Sequence, residues 1–151
     1  MSGGGRVLVL GVGNPLRADD GVGQAVVELL GSVIAPRPVE LRAVYQLTPE
    51  MAEDFASAAL VVVVDADADV APGEVAVRDA IVGQGAGEPF SHAVDPAGLC
   101  GLAQALYGAS PRLVLVGVGP ASLEAGEGLS PVVVAALDGV VQTIATLVVE
   151  T

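Results

Sequence analysis

Apolar residues come in short runs divided by polar, glycine- or proline-rich stretches, and the runs follow two different periods. Arg6–Val12 (RVLVLGV) is a compact apolar run ending in glycine-rich sequence, which predicts a buried strand. Gly13–Asp20 is a loop. Gly21–Val33 predicts a helix, with Asp19 or Asp20 as its N-cap. Val39–Gln46 places Val39, Leu41, Ala43 and Tyr45 on one side, the alternation of a second strand. Thr48-Pro49-Glu50 starts a helix: Thr caps, Pro suits the first helical position, and an acid favours the first turn. That helix runs to about Ser57. Leu60–Val64 predicts the third and most buried strand, followed by an acidic loop over Asp65–Asp69 and a turn at Pro72-Gly73. Glu74–Val82 predicts a fourth strand at a sheet edge. Gly83–Ser91 reads as a mobile, glycine-rich connection. Asp95-Pro96 opens a helix to about Tyr107, Leu113–Val118 is a fifth strand, Pro120–Leu129 a loop, and Ser130-Pro131 the start of a long C-terminal helix.

Strands that alternate with helices predict a three-layer α/β/α sandwich around a five-stranded, mostly parallel sheet. The length of 151 residues suits a single domain spanning 1–151. Composition sharpens this picture. Hydrophobic residues make up 52% of the chain but aromatics only 3%, so the core must be built from Val, Leu, Ile and Ala. Such β-branched content favours strands covered on both faces.

The charge narrows the partners. The formal net charge is −12, with six Arg and no Lys. A surface this acidic repels phosphate backbones, so no nucleic acid is expected as a partner. The single cysteine, Cys100, allows no internal disulfide, in keeping with a cytoplasmic location. No signal peptide is visible at residues 1–5, and aliphatic runs such as Ala58–Val64 fall far short of the roughly 20 residues a membrane span needs. No membrane association is expected.

In open α/β sheets, ligands bind beyond the carboxyl ends of the strands, where strand order reverses. Asp19 and Asp20 follow the first strand, Asp65 the third, Glu124 and Glu127 the fifth. His92, the only histidine, lies between the fourth strand and the helix at Pro96, within reach of the same rim. Singly, each has an ordinary explanation: a helix cap for Asp20, a turn for Asp65, a solvated loop side chain for His92. Together, two carboxylates and an imidazole suit a divalent transition metal and leave coordination positions open. Gly11-Val12-Gly13-Asn14-Pro15-Leu16 is not a dinucleotide fingerprint. Leu16 stands where the third glycine belongs, and two carboxylates at the helix start would repel a pyrophosphate. There is no H-E-x-x-H or G-x-S-x-G, and Cys100 lies among Leu99, Leu102 and Ala103 as a core residue.

Val9-Leu10-Gly11-Val12-Gly13-Asn14-Pro15-Leu16-Arg17-Ala18-Asp19-Asp20-Gly21-Val22-Gly23 resembles the N-terminal motif of hydrogenase maturation proteases, G-x-G-N-x-L-x-x-D-[DE]-x-x-G. Val63-Val64-Asp65-Ala66, Ser91-His92, Leu115-Val116-Gly117-Val118, Ser122-Leu123-Glu124 and Gly128-Leu129-Ser130-Pro131 resemble later segments of that family in order, over nearly the whole chain. The resemblance implies a phosphorylase/hydrolase-like α/β/α fold. It also implies an endopeptidase, aspartic-type or metal-dependent, that removes the C-terminal extension of a [NiFe] hydrogenase large-subunit precursor. It assigns Asp20, Asp65 and His92 as metal ligands and catalytic residues. The resemblance further implies that the metal is nickel carried by the precursor, and a monomer is expected. One departure is Asp20, where some relatives have Glu. Two alternatives remain at this point: a non-catalytic metal- or partner-binding module of the same fold, and a peptidyl-tRNA hydrolase-like enzyme, suggested by Gly11–Pro15 but opposed by the charge.

Overall fold

The computed structural model describes residues 5–34, 39–80 and 94–151. Five strands form one sheet: β1 (Arg6–Val12), β2 (Val39–Val44), β3 (Ala58–Ala66), β4 (Val75–Ala80) and β5 (Arg112–Val118). Their order is β2-β1-β3-β5-β4, all parallel except β4, which runs antiparallel to β5 at the edge. The helices are α1 (Val22–Val33), α2 (Ala52–Ser57), α3 (Pro96–Tyr107) and α4 (Pro131–Val149).

The alternation of side chains along each strand divides the interior into two cores. Val7 and Val9 of β1, Leu60, Val62 and Val64 of β3, and Val114, Val116 and Val118 of β5 point to one side, where α1 and α4 cover them. Leu8, Leu10, Val61, Val63 and Leu113 point to the other, against Phe55 of α2 and Leu99, Cys100 and Ala103 of α3. This is the expected three-layer α/β/α sandwich. Helix α4 is apolar over 19 residues, a length that could span a bilayer. Its Val133, Val140, Val141, Ile144 and Val148 face is buried in the first core.

Element boundaries depart from the pattern in two informative places. β2 ends at Val44 rather than Gln46, because the loop after β1 folds over and Gly13 N–H donates to the Val44 carbonyl (3.0 Å). Tyr45 is therefore left 69% exposed. β3 continues through Asp65 and Ala66, which the acidic composition assigns to a loop. Pairing of Asp65 with Gly117 and of Ala66 with Val118 in β5 satisfies their backbone and holds them in the ladder. The expected end of β4 at Val82 and the glycine-rich connection 83–91 lie outside the described residues.

After β1 the chain moves through α1 to β2 on one side, then returns to place β3 on the other side of β1. The strand order thus reverses between β1 and β3, and their carboxyl ends border the crevice where ligands bind in such sheets.

Candidate active site

The segment after β1 is anchored before it reaches Asp20. Gly13 sits at φ +146, and a Cβ there would meet the Asp20 carbonyl oxygen at 1.9 Å, so only glycine fits. The Gln24 amide donates to the Gly13 carbonyl at 2.9 Å. The Asn14 N–H donates to Asp20 Oδ2 at 2.8 Å, which fixes the Asp20 carboxylate against its own loop. Gly23, in the first turn of α1, leaves room for the close approach of helix to sheet. A Cβ there would lie 2.6 Å from the Val64 carbonyl oxygen and 2.7 Å from the Val12 nitrogen.

Neither Asp19 nor Asp20 caps α1. A 3-10 turn over Ala18–Gly21 intervenes, Gly21 occupies the cap position, and no side chain caps it. Asp19 has another task that the sequence pattern does not disclose. Its side chain is fully buried and bound to the loop that leads into α4. Oδ2 accepts from Ala121 N (2.8 Å), Ser122 N (3.1 Å) and Ser130 Oγ (2.7 Å), and Oδ1 accepts from Ser130 N (2.7 Å). Burial alone would raise its pKa, but the donors of Ser130, Ala121 and Ser122 outweigh it and hold the carboxyl below its ordinary value. Backbone bonds from Ala18 to the Gly126 carbonyl (2.7 Å), from Gly126 to the Leu16 carbonyl (2.8 Å) and from Asp19 to the Ser122 carbonyl (3.1 Å) complete the seam. Ala18 adopts φ +49 to make it, an uncommon conformation for a non-glycine residue. An acid that follows a strand reads equally well as a cap, a ligand or a solvated side chain. Only the position of the 121–130 loop, over a hundred residues away, decides among them.

Asp65 stands at the end of β3, partly buried and within reach of the charge of Asp20. Burial, then the charge of Asp20, pushes its pKa up to about 6. The structure therefore brings two of the three expected residues to the switch point between β1 and β3. His92 lies outside the described residues. Among the described residues, no group of three His, Cys, Asp or Glu is placed to hold a metal ion. A cation held between Asp20 and Asp65 would relieve the repulsion that Asp65 feels from Asp20. Cys100 is fully buried, and burial raises its thiol pKa to about 11, so it is a core residue as its neighbours predict. Glu124 and Glu127 lie on the exposed part of the 121–130 loop.

No protein-family model matches the chain, and no curated protein matches it by sequence. Solved structures do match it. The hydrogenase maturating endopeptidase HybD from E. coli is 31% identical, with a TM-score of 0.72 over 96% of this chain and 93% of that one. A hydrogenase 2 maturation peptidase from a Thaumarchaeota archaeon is 32% identical, with a TM-score of 0.72 over 94% of this chain and 97% of the other. The [NiFe] hydrogenase maturation protease HycI from Thermococcus kodakarensis shares the fold, with a TM-score of 0.74 over 99% and 96% of the two chains at 23% identity. An α/β/α sheet with two carboxylates at its switch point, and relatives at 31% and 32% identity matched over almost their full length, place this chain in the hydrogenase maturation protease family: it is a peptidase of hydrogenase maturation.

Proposed function

We propose that the enzyme removes the C-terminal extension of a nickel-loaded [NiFe] hydrogenase large-subunit precursor, and that Asp20, Asp65 and His92 recognise the nickel that the substrate carries. The observation that carries this reading is the pairing of Asp20 with Asp65 at the strand-order reversal, where the two charges oppose each other. A substrate that brings its own divalent cation to this rim supplies the missing positive charge. A precursor without nickel leaves the repulsion in place and is not held. His92 adds an imidazole ligand from the segment before α3.

In this mechanism the carboxylates locate the cation, and through it the scissile peptide bond. Water attacks the carbonyl carbon and gives up its proton to a carboxylate of the pair. The C–N bond then breaks as that proton passes to the leaving amine. Asp20 is held by Asn14 N–H on one side of the crevice and Asp65 by the β5 ladder on the other. The two sides of the grip thus belong to separate rigid elements, which gives it a fixed span.

The test is cleavage of purified precursor, with and without nickel, by the wild type and by Asp20→Asn, Asp65→Asn and His92→Ala. Uncut precursor should persist with each variant, and nickel-free precursor should persist with the wild type. Normal processing by all three variants ends the proposal.

A further inference from the structure

Asp65 also lines a groove of about 410 Å³ that descends from the rim on the α3 side of the sheet. Val63, Leu115 and Ala76 form its apolar floor, and Asp67, Asp69 and Arg78 of β4 also line it. Arg6 and Arg42 are paired with Glu40 and Asp54, and Arg112 with Asp79. Arg37 lies outside the described residues. Among the described residues, neither Arg17 nor Arg78 has a carboxylate partner, although the protein carries a net charge of −12, and of the two only Arg78 lines the groove. A cation on so acidic a molecule, in a groove that Asp65 of the candidate active site also lines, has the charge to receive a carboxylate from outside.

From the groove we infer that Arg78 is a specificity residue that binds a carboxylate on the tail being removed. The inference rests on the proposed function. The nickel-bearing side of the scissile bond belongs to a folded subunit, whereas the tail can enter a groove of this size as an extended chain. The strand register gives the spacing. Asp65 lies opposite Gly117, Gly117 opposite Ala76, and Arg78 is two residues further along β4. Two strand spacings across and two residues along give roughly 12 Å, the span of about three or four extended residues. The carboxylate is therefore an Asp or Glu side chain at about that distance after the cleaved bond, or the tail's own C-terminus if the tail is that short. The groove then carries opposite charges over an apolar floor: acidic where the cation sits, basic where the tail's carboxylate sits.

The experiment measures kcat and KM on nickel-loaded precursor for the wild type, Arg78→Gln, Arg78→Glu and, as a control outside the groove, Arg112→Gln. Arg78→Gln should raise KM about tenfold and Arg78→Glu more, with kcat within about twofold and Arg112→Gln close to wild type. Neutralising the tail's acidic residues one at a time should reproduce the loss at one position, and Lys at that position should restore cleavage by Arg78→Glu. If the chain terminus is the partner, lengthening the tail by three glycines reproduces the loss and side-chain neutralisation does not. Wild-type cleavage together with unchanged KM in Arg78→Glu overturns the inference and leaves the proposed function standing. A wild type that does not cut the precursor overturns the proposed function, and this inference with it.

Discussion

Removing the Asp19 carboxylate should unfasten the loop 121–130 and cost much of the protein's stability. In Asp19→Ala, three backbone N–H groups and one hydroxyl lose their acceptor at a site with no exposed surface. The Ser130 hydroxyl can rotate to another acceptor, but the N–H groups of Ala121, Ser122 and Ser130 are fixed by the backbone. A buried donor left unsatisfied costs about 1–3 kcal/mol, and water entering the vacated space recovers part of it, so a total loss of about 3–5 kcal/mol is expected. Against a typical stability of about 5–15 kcal/mol, that is a large fraction. Asp19→Asn keeps the shape but turns one acceptor into a donor that faces Ser130, and should fall between the two. Urea unfolding followed by circular dichroism gives the loss. Amide exchange at Ala121, Ser122 and Ser130 locates it. The pH dependence supplies a second test. Because the folded-state pKa lies below the unfolded value, the stabilisation is present above the unfolded pKa of about 4 and is lost as pH falls through the folded value. The gap between wild type and variant should therefore be widest near neutrality and close under acid. A loss below about 1 kcal/mol at unchanged m-value, or a gap that does not narrow in acid, refutes the account.

Three further outcomes follow from the same geometry. Asp65→Asn should be more stable than the wild type at pH 7 by roughly 1–3 kcal/mol, even as it stops processing, because a folded-state pKa near 6 means that ionisation weakens the fold. The advantage should grow as pH rises from about 4 through 6 and then level off, and equal melting temperatures across that range would contradict it. Cys100→Ala removes a buried sulfur and should cost about 1 kcal/mol while leaving precursor cleavage intact, since the thiol takes no part in the reaction. Gly23→Ala forces a Cβ toward the Val64 carbonyl and the Val12 nitrogen, which should push the start of α1 off the sheet and cut processing at least tenfold, measured as kcat/KM on folded protein; wild-type cleavage would show that the helix can yield there.

The layers are legible in the order of residues alone. Runs such as Leu60–Val64 and Leu113–Val118 are too continuously apolar for anything but strands covered on both faces, and the Asp95-Pro96 cap is realised as read, with Asp95 Oδ1 accepting from Gly98 N–H at 2.6 Å. The motif from Gly11 to Gly23 pointed to the right family, and its Gly13 answers to a local backbone demand, the close approach of the Asp20 carbonyl. The roles of the acids, by contrast, are set by which distant segments meet in the fold. Asp19 and Asp20 are neighbours of one residue type after the same strand, yet one is buried as a fastener for the 121–130 loop and the other, partly exposed, accepts from Asn14 N–H within its own loop. Asp65 is raised to a pKa of about 6 by burial and by a charge that comes from another strand's loop. Charge, burial and the spacing from Asp65 to Arg78 are set by which segments meet across the sheet. No local pattern encodes that, since it depends on strand order and register rather than on neighbours in the chain.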